Sequence, residues 1–343
     1  MKKTPLTALA LGSALLLALT ACGTTQPTSA GTDKPVSAAS EDCSADSTET
    51  STGAVTLTDA FDRKIELDKP AERIAVLEWQ QIEDALTLCV TPVAVADVEG
   101  YNTWVKAEEL PADVKDVGTR QEPNLDALVA ADPDLVIVEA FVRDDAIIAQ
   151  LEAYGIPVLA TLGADTADPL AQMLTTFDLI AQATGREDRA AVVTDEFEAH
   201  LASAKAEVAD RVADTDEFVF FDGWVDGSNV RLRPYGQGSL VGEVGEALGL
   251  TNAWTGEVDA AYGLGQTDIE GMTAAGDASL FYAGTRETDG SIFIDAVADN
   301  AVWKSLPAVQ DKRIHAFPAG VWMFGGPRST EQIIDAYLEV LSK

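Results

Sequence analysis

Short apolar runs that alternate with helices constrain this chain more than any other feature. The stretch Asp116 to Glu139 shows the unit most clearly. Pro123 pre-sets the first turn of a helix and Asn124 is placed to cap it. Leu125, Leu128 and Val129 recur at helical spacing, and Asp132-Pro133-Asp134 ends the helix by forcing the residue before proline out of the α region. Leu135 to Val138 is then a short, wholly apolar run, the pattern of a strand covered on both faces. Arg120 lies in the loop before the helix, and Asp126 lies on its first turn, off the apolar stripe.

The same alternation predicts a hairpin over 55–67, strands over 73–77, 92–96 and 157–160, and helices over 79–88 and 143–154, with an irregular segment over 101–105. A second series follows: strands at 218–221, 229–233, 279–282 and 313–316, and helices at 239–248, 268–274, 292–297 and 330–341. Short buried strands interleaved with helices imply parallel sheets with helices on both faces, an α/β fold. Between the two series Asp168 to Thr184 reads as one uninterrupted helix, with a capping aspartate, a proline at its start and Gly185 at its stop. A second helix, 186–211, follows it. There is one long-range echo. Asn124-Leu125-Asp126 leads through a short helix to the strand at 135–138, and Thr267-Asp268-Ile269-Glu270 leads likewise to the strand at 279–282. Two lobes of similar build would carry Asp126 and Glu270 at matching places.

At the amino terminus Lys2 and Lys3 precede the apolar run Leu6 to Leu19, which is shorter than the roughly 20 residues of a spanning helix. Leu19-Thr20-Ala21-Cys22 resembles a bacterial lipobox, in which the cysteine is acylated, so residues 1–22 are expected to be an export signal and Cys22 a lipid anchor. Residues 23–54 are rich in small polar side chains and are expected to form a flexible tether. Cys43 lies in it and Cys89 at a helix end. A disulfide in an oxidising compartment and a free buried Cys89 both stand open. The net charge of −34 over 343 residues repels nucleic acid and excludes it as a partner.

The loops at the carboxyl ends of the strands carry Trp79, Tyr101, Trp104, Arg120, Trp224, Tyr235, Trp254, Tyr262, Trp322 and Phe324. Aromatics beside solvent suit a ligand with a broad apolar skirt and polar edges, and a guanidinium offers five donors to clustered oxygens. Lobe cores claim part of this set, with Trp303. Catalysis finds little support: the two histidines neighbour no nucleophile, no G-x-S-x-G occurs, and no close-spaced ligand set points to a directly bound metal. Gly236-Gln237-Gly238 with Gly242 is a loose phosphate-loop pattern, and it keeps a nucleotide-using enzyme open as a weak alternative.

From about Val55 to the carboxyl terminus the chain resembles the lipid-anchored, siderophore-binding proteins of ABC importers, in particular the ferric-hydroxamate-binding group. The matching pieces are Val76-Leu77-Glu78-Trp79, Tyr101-Asn102-Thr103-Trp104-Val105, Asp116-Val117-Gly118-Thr119-Arg120 with Glu122-Pro123-Asn124-Leu125, Asn252-Ala253-Trp254-Thr255-Gly256-Glu257, and Val321-Trp322-Met323-Phe324-Gly325. The resemblance implies two Rossmann-like lobes, 55–166 and 186–343, joined by one hinge helix within 167–185, the class III periplasmic-binding-protein type. It implies that Arg120 reaches iron-bound hydroxamate oxygens and that Trp79, Trp104, Tyr262, Trp322 and Phe324 line a shallow pocket. The siderophore supplies all the iron ligands, and the protein is a monomer without a resident cofactor. Asp126 and Glu270 dock onto arginines of the permease, one per lobe. Phe141-Val142-Arg143 stands where the family often has a tyrosine, which makes Arg143 the replacement donor. Tyr262 stands at a usual tryptophan. Arg231 and Arg233 are additions suited to carboxylate or catecholate oxygens. A haem or cobalamin carrier of the same fold, and a surface adhesin or sensor, are the other readings.

Overall fold

Two five-stranded sheets and one bridging helix organise the chain in the computed structural model, which describes residues 41–211, 215–227, 229–283 and 293–343. The first sheet is parallel, in the order Lys115–Asp116, Ala94–Val95, Ile74–Val76, Leu135–Glu139, Val158–Thr161. Its alternate side chains enter two separate cores. Ile74, Val76, Leu135 and Ile137 point to one. Ala75, Val136 and Val138 point to the other. That double burial is why Leu135 to Val138 is apolar throughout rather than alternating.

The second sheet has parallel strands in the order Thr251–Asn252, Glu217–Asp226, Ser279–Tyr282, Ile314–Ala316. Asn229–Tyr235 folds back antiparallel on the long strand Glu217–Asp226. Here too Phe218 and Phe220 enter one core and Val219 and Phe221 another. The expected strands thus appear, although 218–221 and 229–233 are the starts of longer ones.

The helix Pro169–Thr184 begins as its sequence dictates. The Asp168 carboxylate accepts from the Ala171 N–H at 3.0 Å, Pro169 opens the first turn, and Gly185 ends it at a φ of 69°. Sixteen residues give about 24 Å of helix. Its two ends belong to different cores: Met173 packs with the second sheet's aromatics, and Phe177, Leu179 and Ile180 with the first sheet's aliphatics. The helix is therefore a strut embedded in both lobes.

A second connection is side chain to backbone. The final helix Pro327–Val340 starts at Gly326, which has no side chain to cap it. Glu83, from the helix Trp79–Thr87, supplies the cap in trans: its carboxylate accepts from the Ser329 N–H at 2.7 Å and the Ser329 hydroxyl at 2.5 Å. Burial pushes the Glu83 carboxyl up to about 7, against the Ser329 hydrogen bonds that pull it down.

Three expectations are corrected. Residues 101–105 are not irregular but close the helix Val98–Trp104, which Asp97 caps through Gly100 N–H. The helix expected over 143–154 is the shorter Ala146–Glu152, because Asp145 takes the capping role. The flexible tether expected over 23–54 fails for its last part. Cys43 is disulfide-bonded to Cys89, and the buried Arg186 donates to Thr50 Oγ1 and Leu88 O and pairs with Asp46. That segment is held by a covalent link and polar contacts rather than by apolar burial, which composition alone does not register. Cys22 and residues 23–40 lie outside the described residues.

Candidate functional site

In the first sheet the chain runs outward from Ile74–Val76 on one side and from Leu135–Glu139 on the other, so the strand order reverses between these two neighbours. Ligands of doubly wound sheets bind outside the carboxyl ends of the strands at such a point. A cleft of about 670 Å³ opens there, lined by Leu77 and Glu78 from one strand end and Val138 and Glu139 from the other. The second lobe contributes Arg233, Tyr262, Leu264, Trp322 and Phe324.

The far wall is a run of rings in contact. Trp79 and Trp322 meet edge to face at 5.0 Å, Trp322 and Phe324 at 5.2 Å, Phe324 and Tyr262 at 5.6 Å, and Tyr262 and Phe141 at 6.4 Å. The first and last rings belong to the first lobe and the middle three to the second. Edge-to-face packing fixes their tilt and leaves the cleft a stiff apolar surface. The Trp322 indole N–H has no acceptor among the described residues.

Arg120 enters as expected. Its loop is shaped by Gly118, at a φ of 97°, and by the Asn124 N–H donating to Val117 O at 2.6 Å. Asn124 also caps the helix Leu125–Val129 through Ala127 N–H. The guanidinium carbon lies 3.8 Å from the centre of the Trp79 ring. Its Nη1 pairs with Glu78, its Nε is 3.8 Å from Asp97, and that Nε–H is buried without a hydrogen-bond partner among the described residues. Arg233 is held just as firmly. It pairs with Asp222 directly across the hairpin, with Nε–Oδ1 at 2.9 Å, and touches the Tyr235 hydroxyl. Burial lowers its pKa, but Tyr235 and Asp222 together raise it further, so the charge is fixed.

Two carboxylates in this cleft were not singled out from the sequence. Glu78 doubles as the cap of the helix that begins at Trp79. Glu139 accepts a 2.6 Å hydrogen bond from the Tyr262 hydroxyl, a link between the lobes. Burial, and then the charge of Glu78, push the Glu139 carboxyl up to about 7. Gly163 makes room for this pair, since a Cβ there would strike both the Glu139 carboxylate and the Tyr262 hydroxyl. Their signal was position: each acid ends or follows a short apolar strand.

Of the expected ligand residues, Arg120, Arg233, Tyr262, Trp322 and Phe324 line the cleft, and Trp79 supports it from beneath Arg120. Others do not. Tyr101 is fully buried and donates to Glu108 O, because it occupies the inward face of the helix Val98–Trp104. Trp104 ends that helix, 41% exposed and outside the lining. Tyr235 is buried beneath Phe324, and Trp254 is buried in the second lobe's core. Arg143 is exposed on the loop after Phe141, which takes its place at the rim. Trp224 and Arg231 face each other across the hairpin and line a separate, polar hollow with Gln266 and Asp268. Asp126 is exposed on the first turn of the helix Leu125–Val129, and Glu270 is exposed just before the single 3-10 turn Gly271–Ala275, which stands where a helix was expected over 268–274.

The sequence profile of the periplasmic binding protein family matches residues 74–320. The chain is 27% identical over 263 residues to the iron(3+)-hydroxamate-binding protein FhuD of Escherichia coli, covering 76% of this chain and 84% of that one. It is 27% identical over 261 residues to the Fe(3+)-citrate-binding protein YfmC of Bacillus subtilis, covering 76% and 78%. Among solved structures, the Fe3+–Desferal-bound siderophore-binding protein FhuD from Vibrio cholerae superposes with a TM-score of 0.64 at 23% identity, covering 79% of this chain and 97% of that one.

Proposed function

The chain belongs to the periplasmic binding protein family, and on that footing we propose that it captures a ferric siderophore of the hydroxamate type outside the cell and presents it to an ABC permease. The observation that carries this reading is the ring-walled cleft at the strand reversal, with a guanidinium held flat over Trp79 at its edge. Such a cleft grips an organic shell through apolar contact and offers N–H donors to the oxygens around the metal, while the siderophore keeps every iron ligand. The relatives named for iron–hydroxamate and iron–citrate support iron complexes over the haem or cobalamin reading.

Binding rather than turnover fits the glycine-rich segment too. Ser239 caps the helix Leu240–Ala247, and Gly238 packs against Thr166, so local structure accounts for the glycines of this segment. The lobes, 55–166 and 186–343, close little on the ligand because the helix Pro169–Thr184 and the Glu83 cap tie them together. Asp126 and Glu270 dock on the permease, and Cys22 carries the lipid that keeps the protein at the outer face of the cytoplasmic membrane.

The test is tryptophan fluorescence titrated with ferric trihydroxamates, ferric citrate, haem and cobalamin. Saturable quenching by a trihydroxamate at micromolar concentration or below is expected. A flat response across the iron complexes, or quenching by haem alone, refutes the proposal.

A further inference from the structure

The cleft holds cations, but none of them is uncommitted. Arg120 is paired with Glu78 and sits near Asp97, and Arg233 is paired with Asp222 across the hairpin. Glu139 and Asp145 line the same space with no direct ion pair among the described residues. Glu139 accepts from the Tyr262 hydroxyl through one oxygen, a neutral partner that leaves its charge uncompensated by a direct ion pair. Three carboxylates, Glu78, Asp97 and Asp222, thus lie against the two guanidiniums, and Glu139 and Asp145 add to the cleft lining, in a chain of net charge −34. The arginines also cannot turn freely toward an anion, because each is fixed by stacking or by a cross-strand pair.

This decides between iron complexes by charge. Three hydroxamates, each singly negative, cancel the ferric ion and leave a neutral core. Three catecholates, each doubly negative, leave a trianion, and citrate complexes are anionic as well. A polyanion entering this cleft would meet arginines whose charge is already offset by Glu78 and Asp222, and would lie beside Glu139. A neutral core meets no such cost, and a pendant ammonium would gain. Resting on the siderophore reading above, we infer that the cleft selects its iron complex by net charge, taking neutral or cationic trihydroxamates and rejecting anionic ones, with Glu139 as the residue that reads a cationic arm. Arg231 and Arg233, which in the sequence suited carboxylate or catecholate oxygens, do not make the cleft anion-seeking: one is neutralised by Asp222 and the other lies outside the lining.

The experiment holds the metal centre constant and varies only the arm. A linear ferric trihydroxamate ending in a free amine, its N-acetyl derivative and its N-succinyl derivative differ by one charge at each step. Calorimetric titration of the full chain in detergent at pH 8 should rank them cation, neutral, anion, with about tenfold in Kd per step, the scale of one charge–charge contact in a partly buried site. In Glu139→Gln the spread between cation and anion should shrink to a few-fold. Melting curves report whether that variant is folded. A second measurement needs no variant. Tyr262, Glu78 and Arg120 are the groups that act on Glu139, and together with burial they hold it at about 7. At pH 6 it is mostly neutral, so the wild-type spread should narrow toward that of the variant. Equal affinity for all three compounds, or tightest binding of the anion, overturns the charge filter and leaves the siderophore reading standing. Binding of none of the three overturns both.

Discussion

Replacing Arg120 by alanine tests the core of the functional reading. One Nη1–H is committed to Glu78, the Nε–H is buried without a hydrogen-bond acceptor among the described residues, and the side chain lines the cleft. A ligand oxygen can take one of its remaining N–H donors. Hydrogen bonds to a charged group contribute about 1.5–3 kcal/mol net, so Kd should rise roughly tenfold to 150-fold. The stacking of the guanidinium on Trp79 is worth about 0.5–2 kcal/mol, but it is present with and without ligand and cancels from the affinity. It does not cancel from the fluorescence, because Trp79 loses its cationic neighbour in the variant. Calorimetry is therefore the assay. Arg120→Lys keeps the charge without the flat fork and should recover less than half of the loss in free energy. A Kd for Arg120→Ala within about threefold of wild type would remove Arg120 from the ligand's contacts and with it the main support for an oxygen-rich ligand.

Other outcomes follow from other parts of the molecule. Asp126→Ala combined with Glu270→Ala should leave siderophore affinity unchanged and lower uptake by cells; normal uptake would retire the docking role. Cys43→Ser opens a loop whose ends are 46 residues apart, which chain entropy sets at about 4 kcal/mol of stability, read as a drop in Tm that reducing agent reproduces in the wild type. Ser329→Ala removes the buried partner of Glu83 and should lower the urea unfolding free energy by about 1.5–3 kcal/mol. Burial holds Glu83 at about 7 against an ordinary 4.5, so the folded chain keeps a proton that the unfolded chain has released. Stability should therefore fall as pH rises from about 4.5 to 7, and Glu83→Gln should reduce that slope, with Glu139 and Asp84, whose buried carboxyls are also pushed up, contributing to what remains.

The secondary structure was legible because its signals are local. Asn124, Asp168 and Gly185 cap or stop helices where the sequence placed them, and the run Leu135 to Val138 could only be a doubly covered strand. Arg120 was legible as a charge beside aromatics in a strand-end loop. What failed was direction. Tyr101, Tyr235 and Trp254 stand near loops, as Tyr262 and Trp322 do, but a ring at a strand or helix end can turn inward or outward, and rotation about the helix Val98–Trp104 buried Tyr101. Glu78 and Glu139 were missed for a different reason. They become neighbours only once the order of strands in the sheet is known, and no local pattern encodes that order. The same holds for Asp222 and Arg233, whose pairing depends on hairpin register.

The last helix borrows its beginning from the other half of the protein. The Ser329 amide and hydroxyl in its first turn are satisfied by Glu83, 246 positions earlier in the chain, and Gly326 has nothing of its own to offer instead. Chimaeras that graft the carboxyl-terminal half of one relative onto the amino-terminal half of another must carry a matching acid and hydroxyl across the seam. Expressed alone, the carboxyl-terminal half would keep the apolar seat of its last helix but lose the acid that holds the first turn.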